Sequence, residues 1–250
     1  MALAQVCAFL SPVWRTKGAK LCNGLLTTLS LHNGSVRRGM RDVPKIGSLA
    51  AMAAFAAIVL YGIAQVLQVV NALRPPLDGI LIYGFSLCIV IPFMISMLAL
   101  HYVASAETKF WSSAALIFTV MYGTYVTLNY AVQLATVIPA ALQHRLDEVR
   151  ILDQTPHSLF WDVDALGYIC MGFATLFGSF VFRNGGVDKW AKGFFIGNAV
   201  MTPVIALVYF YPTFSIPLFI LGAPWLVTAA GSMFCLALYF KNAQLPQTGD

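Results

Sequence analysis

The residues of this chain that could do chemistry are polar groups set inside long apolar runs. In one run Gln65, Gln68 and Asn71 recur every three residues, which places them near one face of a helix. In another, Asn129 and Gln133 are four apart and share a face. A third run opens with Asp162 and Asp164, and Tyr168 follows one turn after Asp164. Such groups are costly to place in hydrocarbon, so each needs a partner or a task. As a task, they describe a polar cavity whose ligand-binding groups are Gln65, Gln68, Asn71, Asn129, Gln133, Asp164 and Tyr168, with Asp164 as the charged or proton-accepting member. As structure, the amides hydrogen-bond between helices, and Asp162 and Asp164 sit at a wet helix N-terminus where the helix dipole favours carboxylates. The structural explanation is the more economical one for the aspartates.

Other chemistry finds little support. The histidines His32, His101, His144 and His157 lie on different segments. His101 and His157 are expected at opposite ends of the molecule, so they cannot share one metal or ligate one haem. No HExxH, GxSxG or Walker sequence occurs. Cys7, Cys22, Cys88, Cys170 and Cys235 form no CxxC or Cys/His spacing, and the last three fall in apolar runs, where cysteine serves as a small packing residue. Neither a metal nor a cofactor is expected. Asn198 and Thr202, four apart, read as packing positions. For a lipid-modifying enzyme the sole cluster of acid and base is His157, Asp162 and Asp164.

The elements that position these groups follow from composition. Of 250 residues, 59% are hydrophobic and 10% are charged, where soluble domains carry roughly a quarter charged. The apolar runs reach about 20 residues or more, enough to cross roughly 30 Å of hydrocarbon at 1.5 Å per residue. The expected fold is all-α, an integral membrane bundle of six transmembrane helices over about 46–72, 79–104, 110–142, 162–182, 191–211 and 217–240. Arg74-Pro75-Pro76 stops the first span, and Pro92 predicts a kink in the second. In the long connection 143–161, Leu142, Leu146, Val149 and Leu152 recur at helical spacing among charged residues and predict an amphipathic extension of the third helix. Thr155-Pro156 predicts the N-cap and first turn of the fourth.

Charge sets orientation. Before Met40 there are five basic residues and no acidic one, while ten basic residues face ten acidic ones from Met40 onward, so the body is neutral. That distribution argues against a nucleic-acid surface on the folded part. Residues 1–39 read as a basic, disordered or non-native leader, with translation starting at Met40; residues 40–250 form the membrane domain. With the N-terminus inside, twelve basic residues fall on the cytoplasmic side and three, Arg74, Arg145 and Arg150, outside. Without the leader the balance is still seven to three. Both termini are therefore expected in the cytoplasm. Trp111, Trp161, Trp190 and Trp225 fall near span ends, where indoles sit at headgroup level. Cys170, Ala174 and Gly178, and Ala50, Ala54 and Ile58 flanked by Ala53 and Ala57, make small-residue faces suited to close helix packing.

The segment Pro156-His-Ser-Leu-Phe-Trp161, with Leu166-Gly167-Tyr168, Met171-Gly172 and Ala174-Thr175-Leu176-Phe177, resembles a family of bacterial multi-pass membrane proteins of unassigned function, over the body from about Met40. The resemblance implies a bacterial cytoplasmic membrane and a start at Met40, and brings no catalytic residues. Three functions fit the sequence: a non-catalytic membrane subunit or sensor, a small-molecule binder or transporter using an outward-facing polar cavity, and a membrane-embedded lipid-modifying enzyme. The absence of motifs favours the first. The expected partners are the lipid bilayer and another membrane protein or a second copy of the chain.

Overall fold

Six helices carry the apolar runs, and proline, glycine or a left-handed residue stands near most of their ends. The computed structural model describes residues 42–244. The expectations for 1–39 and for a start at Met40 lie outside the described residues. Helix α1 spans Asp42–Val69, α2 Leu77–Val103, α3 Lys109–Leu142, α4 Leu159–Ser179, α5 Gly186–Phe210 and α6 Ile216–Ala243. All six are long and apolar enough to cross a membrane, the architecture of a multi-pass membrane protein, and no strand occurs among the described residues. Helix α1 ends where Asn71 turns left-handed, at φ 57°, ahead of Arg74-Pro75-Pro76. Helix α6 is notched by a turn at 221–223 between Ile216–Ile220 and Pro224–Gln244. Helix α2 continues without a break through Pro92.

The helices alternate in direction. At one end Gly47 of α1 packs against Ala99 of α2 and Phe240 of α6, and Phe182 meets Tyr239 edge to face. At the other, Tyr83 of α2 stacks on Tyr130 of α3, Tyr61 of α1 meets Trp225 of α6, and Trp161 of α4 meets Tyr209 of α5. The second group, with the connections 70–76, 143–158 and 211–215, defines the site end of the bundle. Helix α4 is the most enclosed of the six. Its small residues explain that position: Gly167 meets Val126 of α3, Gly172 meets Thr202 of α5, and Gly178 sits against Phe195 of α5 and Met97 of α2. A side chain at any of these would push a neighbour away. Outward-facing Leu49, Ile91, Ile117, Val200 and Val227 are more than half exposed, Leu49 at 74%. An apolar surface on every side suits a hydrocarbon solvent and would be a liability in water.

Several local expectations give way to the structure. Of the small-residue face on α1, Ala50, Ala54, Ala57 and Ile58 are buried but Ala53 is exposed. Trp161 and Trp225 are buried, and Trp161 donates to the Tyr209 carbonyl at 3.1 Å, so these two indoles are packing residues and not headgroup anchors. The amphipathic extension of α3 is instead a separate 3-10 helix, Leu146–Leu152. His144, left-handed at φ 57°, breaks the helix before the apolar pattern can continue. The N-cap of α4 is Ser158, whose hydroxyl accepts from the Trp161 N–H at 3.2 Å. Thr155 lies one turn earlier, in a bend closed by Ser158 N–H to the Thr155 carbonyl at 2.9 Å.

Within α3 the residues Gln133–Val137 form a π-helical turn in which Ile138 N–H reaches back to the Gln133 carbonyl. Pro139 gives the reason. It has no N–H to offer the Ala135 carbonyl, and its ring would press on that carbonyl in a regular α-helix. The widened turn just ahead of the proline relieves both.

Candidate functional site

Near the site end, α3 directs Asn129 and Gln133 into the interior, each at 0% exposure, and α4 directs Asp164 there at 2%. What joins them is Gln154, from the connection between α3 and α4. Its amide Nε2 donates to Asp164 Oδ2 at 3.0 Å, and its Oε1 accepts from Asn129 Nδ2 at 3.1 Å. Gln133 pins the same segment by its backbone: Nε2 donates to the Leu152 carbonyl at 2.8 Å, and Oε1 accepts from the Gln154 N–H at 3.3 Å. Tyr209 of α5 donates its phenol to Asp164 Oδ2 at 2.6 Å. Among the described residues, both groups that hydrogen-bond the Asp164 carboxyl, the Gln154 amide and the Tyr209 phenol, are neutral. Asp164 Oδ1 and Asn129 Oδ1 are buried without a partner among the described residues.

Asp164 therefore does not lie at the wet interface that the capping explanation requires. Asp162 does: it is exposed in the first turn of α4. Positions two apart on a helix differ by about 200°, so Asp162 and Asp164 cannot serve one surface. His157 is also exposed, at φ 67°. The cluster of His157, Asp162 and Asp164 considered for a lipid-modifying enzyme is thus divided between surface and interior. Burial pushes the Asp153 carboxyl up from its ordinary value, opposed by the Gln154 backbone N–H and by Arg150.

The α1 amides form a second cluster. Gln65 Nε2 donates to Gln68 Oε1 at 3.1 Å, and Gln68 Nε2 donates to Asp78 Oδ2 at 3.0 Å, tying α1 to the first turn of α2. Asn71 does not join them. It stands exposed in the left-handed turn beyond α1, off the face that the three-residue spacing implies, because the helix stops at Val69.

Between the clusters runs a row of phenols. Tyr130 of α3 and Tyr168 of α4 are 3.5 Å apart, oxygen to oxygen, and Tyr168 donates to Tyr61 of α1 at 3.3 Å. Trp225 closes the row, edge to face with Tyr168 at 4.8 Å between ring centroids. Tyr61, Tyr168, Tyr209 and Gln65 form the polar wall of a pocket of about 250 Å³ between α1, α4, α5 and α6, and Val66, Ile205, Val208 and Phe219 are among its apolar walls.

Of the residues singled out in the sequence, Gln65 and Tyr168 line this pocket, Asp164 reaches it through Tyr209, and Asn129 and Gln133 meet Asp164 by way of Gln154. Gln68 supports Gln65, and Asn71 is apart. Sequence reasoning missed Gln154, Tyr61, Tyr130 and Tyr209. The tyrosines could have been found as phenols on α1, α3 and α5 at the depth of Tyr168; Gln154, alone in an irregular segment, gives no periodic signal. The arrangement can orient and hydrogen-bond a molecule but offers no activated nucleophile. Among the described residues no group of three or more His, Cys, Asp or Glu could hold a metal ion.

A second, smaller polar contact joins α4, α5 and α6 deeper in the bundle. Asn198 donates to Thr175 at 3.1 Å and accepts from Thr228 at 3.4 Å. Asn198 is 1% exposed and lines no pocket described above, in keeping with packing. No protein-family model matches the chain, and no curated protein or solved structure matches it either.

Proposed function

We propose that the chain is a non-catalytic membrane protein of the sensor type that binds a small, largely apolar molecule in the pocket between α1, α4, α5 and α6. The observation that carries this reading is the pocket's polar wall. Tyr209, on that wall, hydrogen-bonds the buried Asp164, which Gln154 links to the connection 143–158. A molecule that shifts Tyr209 therefore acts on a segment at the end of the bundle, which is the physical content of a sensor. The pocket lies just below the size range usual for ligand sites, about 300–1,000 Å³, and is likewise mainly apolar with a few polar groups. A lipid-modifying enzyme is less well supported, because His157 and Asp162 are exposed while Asp164 is enclosed.

The membrane and orientation belong to the same reading. We place the protein in a bacterial cytoplasmic membrane with both termini in the cytoplasm, on the seven-to-three excess of basic residues from Met40 onward and on the resemblance described above. Cysteine labelling with an impermeant reagent, at Glu148 and at Asn242 in a variant without native cysteines, tests the orientation; labelling of position 242 in intact cells overturns it.

Ligand binding is tested by extracting the small molecules that co-purify with the protein and identifying them by mass spectrometry. Val208→Phe and Gly222→Leu, each adding bulk at the pocket wall, should lose a molecule that the unaltered protein retains. Equal recovery from both well-folded variants refutes the pocket as the site.

A further inference from the structure

The hydrogen bonds around the pocket have a direction, and the direction specifies a ligand. Each phenol has one hydrogen to donate. Tyr168 donates its hydrogen to Tyr61, so in the contact between Tyr130 and Tyr168 the donor must be Tyr130. The row then runs from Tyr130 through Tyr168 to Tyr61, and the Tyr61 hydrogen is left for an acceptor. Gln65, one turn further along the same helix, ends the other chain in the opposite sense. Its Nε2 donates to Gln68 Oε1, and Gln68 Nε2 in turn donates to Asp78, so Gln65 Oε1 is left as an acceptor. Both residues line the pocket. These two residues thus present the Tyr61 hydroxyl and the second Gln65 N–H as donors, and Gln65 Oε1 as an acceptor, at neighbouring positions.

No Lys, Arg or His lines the pocket among the described residues. An anionic head would be buried there without a counter-charge, at a cost that neutral groups avoid. A cationic ammonium head would meet aromatic residues, but it accepts no hydrogen bond and would leave the Tyr61 hydroxyl unanswered. Trp225 also packs edge to face with Tyr61 and Tyr168, so these rings spend their faces on one another and do not form an open cage. A hydroxyl-bearing head can both accept from Tyr61 and donate to Gln65.

We infer that the pocket takes a neutral, single-chain amphiphile drawn from the bilayer, with a hydroxyl-bearing head against Tyr61 and Gln65 and its apolar chain against α5 and α6. The inference rests on the pocket being a ligand site, as proposed above. A head of this kind needs no counter-ion, and a single chain is what a volume of about 250 Å³ can begin to admit.

The test is native mass spectrometry of the full chain, released from detergent micelles at pH 8, with three probes of equal chain length: 1-monooleoylglycerol, oleate and oleylamine. Monooleoylglycerol should bind at least tenfold more tightly than the other two. Tyr61→Phe and Gln65→Leu should each weaken it by roughly two- to tenfold, the range of one net hydrogen bond. Val208→Phe should weaken all three probes. Tighter binding of oleate or oleylamine, or no loss on Tyr61→Phe and Gln65→Leu while Val208→Phe still blocks binding, overturns the ligand class and leaves the pocket standing. If no probe binds, or binding is indifferent to Val208→Phe and Gly222→Leu, the pocket reading falls and the ligand class with it.

Discussion

Replacing Gln154 by alanine removes the one side chain that bridges α3 and α4 through their connection. Two hydrogen bonds disappear, from Asn129 Nδ2 and to Asp164 Oδ2, while the backbone bond from residue 154 to Gln133 remains. Polar bonds between membrane helices average about 0.6 kcal/mol and reach about 1.7, so the pair is worth roughly 1 to 3.5 kcal/mol. Asn129, at 0% exposure and already with an unpartnered Oδ1, would be left with an unpaired amide N–H as well, which favours the upper half of that range. A loss of about 2 to 3 kcal/mol corresponds to a roughly 30- to 150-fold change in the seating equilibrium of the connection. Hydrogen exchange over 146–154 reads that equilibrium directly, and a denaturing-detergent titration reads the effect on the whole bundle. Gln133→Leu releases the same segment by cutting its bonds to Leu152 and Gln154. Because the segment can be released only once, the double variant should cost less than the sum of the two single ones. Exchange protection within 0.5 kcal/mol of the unaltered protein in Gln154→Ala, or strict additivity with Gln133→Leu, would refute the idea that this amide seats the connection.

Three further outcomes are expected. Gly172→Ala should destabilise the bundle in a detergent titration, since its new methyl meets Thr202, and Thr202→Ala should recover most of the loss; absence of rescue would assign the cost to helix propensity alone. Ser158→Ala should cost about 1 kcal/mol and increase exchange at Trp161 and its neighbours, because the α4 N-cap loses its acceptor, whereas Thr155→Val should leave those amides unchanged. Burial raises the Asp153 carboxyl above its unfolded value. The seated connection therefore holds that proton more tightly than the released one, and seating should strengthen as pH falls through the raised value and weaken as pH rises past it. A spin label at Glu148→Cys in a cysteine-free variant should become less mobile on acidification, and Asp153→Asn should remove the pH dependence.

The sequence makes the architecture legible because span length and apolar composition are properties of each run taken alone. The helix count and the approximate limits of α1 to α6 follow from that, and so does the burial of Asn129 and Gln133, which a four-residue spacing puts on one inward face. What is illegible depends on neighbours from elsewhere in the chain. Asp164 looks like a surface carboxylate because it lies in the second turn of α4, yet the 143–158 connection folds Gln154 over it. Asn71 matches the three-residue rhythm of Gln65 and Gln68, but the proline pair after it ends the helix, and rhythm carries no information beyond a helix end. The pocket was likewise hidden, since its wall takes one tyrosine from each of three helices and no single segment announces it.

The π turn at Gln133–Val137 means that α3 contains one residue more than a regular helix would need for the same path. Counting residues along it, everything after Val137 is out of step by one position, about 100° of rotation, with everything before Gln133. That offset aims the last turn, Ile138–Leu142, and with it the departure of the connection toward Leu152 and Gln154. Deleting Ala135, which is exposed, would remove the surplus residue and press the Pro139 ring on the carbonyl four residues before it. The chain beyond would then leave α3 in a different direction, and the Leu152 carbonyl and Gln154 amide would have to find Gln133 from the wrong side. A single surplus residue thus acts as the angular setting that brings a surface segment to an interior carboxylate.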